Sequence, residues 1–281
     1  MKSYMLVSTL LLMLAFVPFI WVYEKREPKA RGIVTVAVMC AITVVSNLIC
    51  AYTVPFHAGT AMVIIAGIAL GPQTGFLVGA MSRFVCNFFM GQGAWTPWEM
   101  FAWGLLGALA GIMFNKAELV GYLDDKNAVR KRKVIEGVKA VLTPLVCIAG
   151  AQVAGYIVML LGSGKNESYL GIRVYVWGIV GIVAGLVFQR KKLPANPITM
   201  SVYTFISVLV IYGGIMNLAT FFMTASAYSN GFAGLKLLYV TGLGYDALHA
   251  LGATACVFLL GDNMVRKLER IKIKYGMFYF G

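Results

Sequence analysis

Arg83, Asn87 and Glu99 are polar groups lying inside or at the edge of long apolar stretches. An ionisable side chain at bilayer depth costs about 2.5–3.5 kcal/mol on insertion scales, so it usually serves a site. Arg83 and Asn87 are four residues apart and share one face of a helix. Glu99 opens the next apolar segment, across the short turn Gly91-Gln92-Gly93-Ala94-Trp95-Thr96-Pro97-Trp98. Asn47, His57, Trp95, Trp98, Gln152, Tyr156 and Asn217 fall at the ends of other apolar segments. Asp246 and His249, three apart, share a face of the last one. Such groups on many helices at a similar depth can line a pocket for a small molecule, with hydrogen bonds and charge to orient it. The competing readings are structural. The tryptophans fit an interfacial aromatic belt, Arg83 and Glu99 can neutralise each other, and Asp246 can sit as a charge at a helix start.

Covalent or metal chemistry has less support. The chain carries no HExxH, no GxSxG and no paired-carboxylate motif, so nothing argues for an enzyme, and no cofactor or metal is expected. Gly162-Ser163-Gly164-Lys165-Asn166 has part of a phosphate-binding loop, but it lacks the first glycine at the right spacing and has Asn where Ser or Thr is needed. Cys40, Cys50, Cys86, Cys147 and Cys256 all lie in apolar segments without CxxC spacing, which reads as buried thiols.

The elements that must hold these groups are membrane helices. Of 281 residues, 60% are hydrophobic and 12% charged, with a mean hydropathy of +0.80, against about 25% charged in a soluble domain. Helices and closed barrels alone satisfy their backbone in lipid, and barrel-type alternation is absent. The expected fold is an all-α integral membrane bundle of roughly nine helices, six in a core and about three extra. Apolar runs fall at about 4–23, 32–54, 60–71, 73–91, 98–115, 137–161, 172–189, 199–224 and 241–261. The first resembles a signal peptide but is long and lacks a small-x-small cleavage site, so a retained helix is expected. The expected division is an N-terminal helix and basic linker over 1–30, and a membrane domain over 31–281 with an extra hairpin within 136–224.

The run at 60–71 is short for a span of about 20 residues, and charge decides its fate. If it crosses, the basic groups at 25–31, 116–139, 190–192 and 266–274 share one side, which places 19 of the 24 Lys and Arg residues there. The positive-inside rule then sets the N-terminus outside and the C-terminus in the cytoplasm. The net charge of +13 reflects this bias, not a nucleic-acid partner. Two segments also echo each other, Trp103-Gly104 to Phe114 and Trp177-Gly178 to Phe188, in the pattern WGxxGxxAGxxF. This fits either a duplicated hairpin or two convergent small-residue packing faces.

The stretch Gly71-Pro72-x-x-Gly75-x-x-x-Gly79, the Gly91–Pro97 turn before Trp103-Gly104, and the ending Tyr245-Asp246-Ala247-Leu248-His249-Ala250-Leu251-Gly252 ahead of a basic tail resemble the substrate-binding S components of energy-coupling factor (ECF) vitamin transporters. Ala37 and Ala41 match that family's AxxxA pattern. The resemblance covers about 31–115 well and 230–275 fairly well. It implies a non-enzymatic subunit of the bacterial cytoplasmic membrane that captures a vitamin from outside. It also implies partners, a transmembrane T component contacted through Ala37 and Ala41 and two ATPases. The family has about six helices, so the surplus obscures which residues near 150–220 face the ligand. The resulting expectation is a substrate site of Asn47, His57, Arg83, Asn87, Trp95, Trp98, Glu99, Asn217, Asp246 and His249. A corrinoid such as cobalamin is the first expectation for the ligand, with riboflavin, a folate and queuosine also open. The alternative is a stand-alone ion-coupled secondary transporter.

Overall fold

The computed structural model describes residues 10, 13–14, 16–18, 20–21, 24–25, 30–53, 57–114, 126–162, 172–188, 193–224 and 232–275, with the backbone alone over 126–141 and at 143, 186, 188 and 232. Nearly all of them are helical. The elements are α1 (Ala30–Thr53), α2 (Ala58–Leu70), α3 (Pro72–Met90), α4 (Thr96–Met113), α5 (Lys126–Gly162), α6 (Ile172–Phe188), α7 (Pro197–Ser207), α8 (Gly213–Thr224) and α9 (Phe232–Lys274). A π-helical turn, Val208–Tyr212, joins α7 to α8 without a break. Among the described residues, four stretches are long and apolar enough to cross a membrane: Ala30–Tyr52, Pro144–Leu161, Pro197–Thr224 and Ala233–Lys274.

Local sequence sets the boundaries. Gly71 at φ 99° and Gly91 at φ 106° adopt the left-handed region and end α2 and α3, a conformation that costs glycine little. Pro72 and Pro97 then open α3 and α4, where a missing N–H is harmless. Asn196 caps α7, its side-chain oxygen accepting from the Thr199 N–H at 2.8 Å. Hydropathy undercounts α5 and α9, which continue through their charged ends, because Lys, Arg, Glu and Leu are good helix formers outside lipid.

Two ends of the bundle can be told apart by contacts. At one, the Arg31 guanidinium lies 5.3 Å from the centre of the Tyr275 ring, Lys272 Nζ donates to the Ala69 carbonyl at 2.6 Å, and Leu193 N–H donates to the Met113 carbonyl at 2.8 Å. This basic end gathers the start of α1, the ends of α2 and α4, and the tail of α9. The other end holds the polar groups described below.

The short helix α2 joins the two ends. Its 13 residues span only about 20 Å at 1.5 Å per residue, yet from Gly59 to Leu70 every one is buried. It crosses inside protein rather than against lipid, so the usual length requirement does not bind it. Glycines permit this. A Cβ on Gly75 would meet Gly67 Cα and the Gly107 carbonyl oxygen, each at 2.6 Å, so the backbones of α2, α3 and α4 touch at one point, as small-residue membrane packing allows.

Helices α5 and α6 form an antiparallel hairpin packed chiefly on itself. Gln152 Nε2 donates to the Val174 carbonyl at 2.9 Å, and the Trp177 ring lies on Gly155. The two echoed segments are α4 and α6, each the second helix of such a hairpin. The expected N-terminal helix over 4–23 falls largely outside the described residues. Phe16 from that segment is buried edge-on against Phe76, with ring centres 5.3 Å apart.

Candidate functional site

Three polar groups meet at the end of the bundle opposite the basic tail. The first links α3 to α4. Arg83 and Glu99 form a buried ion pair, and Asn87 Nδ2 donates to Glu99 Oε2 at 2.8 Å and to Thr96 Oγ1 at 3.2 Å. Thr96 Oγ1 donates to Gln92 Oε1 at 2.9 Å and accepts from the Gly93 N–H at 3.1 Å, so the turn between the helices is held by the same network. The guanidinium also lies 5.2 Å from the centre of the Trp103 ring.

The second group surrounds His249. Its Nε2 shares a hydrogen bond of 2.9 Å with Thr60 Oγ1 on α2, the His57 ring lies 3.8 Å away, and the Tyr212 ring meets it edge-on at 4.6 Å. The π turn delivers Tyr212 there, since one wide turn resets the register of the span. His57 sits in the loop before α2. Burial, and after it the nearby Arg83 charge, hold its imidazole below its ordinary pKa.

The third group surrounds Asp246, one helical turn before His249. Its Oδ2 accepts from the Tyr175 hydroxyl and from Asn217 Nδ2 at 2.7 Å. Tyr239 stacks edge-on with Tyr175 at 4.6 Å and donates to the Gly214 carbonyl at 2.8 Å. The Arg83 charge lies within electrostatic reach of both Tyr212 and His249, which joins the three groups into one region. Among the described side chains, Arg83 Nε, Trp103 Nε1 and His249 Nδ1 are buried without a protein partner. Buried polar atoms are ordinarily bonded, so these mark places where a ligand atom could be received.

The structure thus brings together His57, Arg83, Asn87, Glu99, Asn217, Asp246 and His249. Of the other three candidates, Asn47 borders this region, packed on Gly59 beside Trp103, and the two tryptophans lie outside it. Asn47 is buried at the margin, its Nδ2 facing the Cys86 and Met90 sulfurs at 3.6 Å. Trp98 is buried in a separate apolar cluster, stacked on Phe222 at 5.9 Å. Trp95 is 43% exposed, with its ring over Gly93. Gln152 ties α5 to α6, and Tyr156 is exposed. Sequence reasoning missed Thr60, Trp103, Tyr175, Tyr212 and Tyr239, because a hydroxyl or indole within an apolar run looks like packing until its neighbours are known. No group of three potential metal ligands occurs among the described residues.

Fold and side-chain placement together describe a multi-pass membrane protein with a polar and aromatic cluster toward one end. A family model described as the ECF-type riboflavin transporter, S component, matches residues 28–181, more than half of the chain. The chain belongs to that family of ECF S components, transport subunits that work with a T component and ATPases. No curated protein and no solved structure matches the chain. The family match ends within α6, so the site unites matched residues (Thr60, Arg83, Glu99, Tyr175) with Tyr212, Asn217, Asp246 and His249 beyond it.

Proposed function

We propose that the chain captures a flavin, riboflavin or a close relative, from outside the cell and hands it across the membrane with a T component and two ATPases. The family's name points to riboflavin where the sequence led to a corrinoid. The chemistry of the site agrees with an uncharged heteroaromatic ligand. Arg83 is neutralised by Glu99 and Asp246 is held by neutral donors, so the two charges at the centre of the cluster are already partnered. Tyr175, Tyr212, Tyr239 and Trp103 supply aromatic surface, and the unpartnered Arg83 Nε and Trp103 Nε1 donors suit the carbonyl oxygens of such a ring. The observation that carries the reading is the meeting of all three polar groups at one end of an S-component bundle. The positive-inside bias puts that end outside, with the C-terminus in the cytoplasm.

The test is mass spectrometry of small molecules retained through mild purification, combined with identification of copurifying subunits. A flavin in near-stoichiometric amount, with a T component and ATPases in the complex, supports the proposal. A different retained vitamin overturns the flavin assignment. Uptake that persists after deletion of the ATPases overturns the ECF mechanism and favours ion coupling.

A further inference from the structure

A second opening lies away from the polar site, between the α5–α6 hairpin and the core. It is a narrow groove open to the outside, and its walls include Leu109 on α4, Pro144 and Ile148 on α5, Ile182 on α6, and Val202 and Ile206 on α7. Its lining is almost wholly apolar, unlike that of a vitamin site. The polar side chains in its wall are mostly turned inward. Tyr203 donates to the Leu106 carbonyl and Ser207 to the Thr204 carbonyl, each at 3.3 Å. The six named wall residues are all partly exposed, so the groove is open to the surroundings of the helices.

The helix forming one wall also carries the longest unbroken basic run in the chain, Arg130 to Lys133. Residues 126–139 of α5 include Lys126, Arg130, Lys131, Arg132, Lys133 and Lys139, with Glu136 as the one acid. Along a helix at 1.5 Å per residue, Lys139 lies about 7 Å before Pro144 and Arg132 about 18 Å before it. A phosphate at the basic stretch and an acyl chain in the groove match that offset. Basic residues next to a membrane segment attract anionic headgroups by about 1 kcal/mol each.

We propose that the groove between the α5–α6 hairpin and helices α4 and α7 is a binding site for one anionic phospholipid, its acyl chain in the groove and its headgroup at the basic start of α5. The site is independent of the flavin reading. It gives the hairpin, which is surplus to a six-helix core, a lipid as mortar against that core.

The experiment is native mass spectrometry of the full chain released from nanodiscs containing equal phosphatidylglycerol and phosphatidylcholine. One phosphatidylglycerol retained per chain, at least tenfold over phosphatidylcholine, is expected. Ile148→Trp and, as a second filling variant, Val202→Phe should abolish that adduct while the protein stays monodisperse. The triple variant Lys131→Glu, Arg132→Glu, Lys133→Glu should erase the headgroup preference. Equal retention of both lipids by wild type, or an unchanged adduct in the monodisperse filling variants, overturns the site. If neither filling variant is monodisperse, the triple variant decides: an unchanged preference overturns it.

Discussion

Gly213 lies directly against Asp246: a Cβ placed on the glycine would stand 2.6 Å from the carboxyl carbon. The carboxylate therefore rests on the backbone at the start of α8, where Asn217 and Tyr175 reach it. Gly214, its neighbour, has space, since a Cβ there meets only Tyr175 Cδ1 at an ordinary 3.5 Å. Gly213→Ala is expected to displace Asp246, lowering stability by about 1–3 kcal/mol, a typical overpacking cost, and weakening ligand binding, whereas Gly214→Ala should bind nearly as wild type. Ligand dissociation constants for the two variants check this, and equal affinities would show that Asp246 does not touch the ligand.

Arg83 and Glu99 stabilise each other out of water. Removing one partner of a buried pair typically costs about 3–5 kcal/mol, because a lone charge is left inside. Glu99→Gln should accordingly lower the thermal midpoint in detergent strongly, and Arg83→Met with Glu99→Leu should recover most of the loss while still failing to bind ligand. A double variant that binds normally would reduce the pair to a packing element.

His57 gives a pH dependence with a fixed sign. Burial and Arg83 lower its pKa below the ordinary 6.5, so the fold favours the neutral ring. Its contribution to stability is complete above about pH 6.5 and is withdrawn as pH falls from there to the lowered folded value. Thermal unfolding between pH 7.5 and 5 should show a loss on acidification, and His57→Gln should make the slope shallower. An identical slope would place the titrating group elsewhere.

Ala37 and Ala41 are both exposed on α1 and four residues apart, so they form one small-residue patch on its surface. Ala37→Trp or Ala41→Trp should block uptake while ligand affinity is unchanged. Normal uptake with either bulky residue would mean that the patch meets only lipid.

The helices were legible because hydropathy and glycine spacing act locally, and the charge bias argued for a crossing at 60–71, where α2 runs from His249 at one end to Lys272 at the other. Its burial was not legible, since nothing in a run of apolar residues distinguishes a lipid neighbour from a protein neighbour. Arg83, Glu99, Asp246 and His249 stood out as charges in apolar surroundings. Thr60 and Tyr175 did not, because their part depends on His249 and Asp246, which are 189 and 71 residues away in the chain. Trp95 stands differently. It sits beside the Thr96 network in sequence, but the turn points its ring out over Gly93.

The most direct measurement is a riboflavin fluorescence titration of the purified chain without its partners, set beside Asp246→Ala of equal thermal stability. Saturable quenching at one flavin per chain in wild type, weakened at least tenfold in Asp246→Ala, is the expected result. Absence of saturable binding by the folded wild-type chain, or the same affinity in both proteins, would contradict a flavin site built around Asp246.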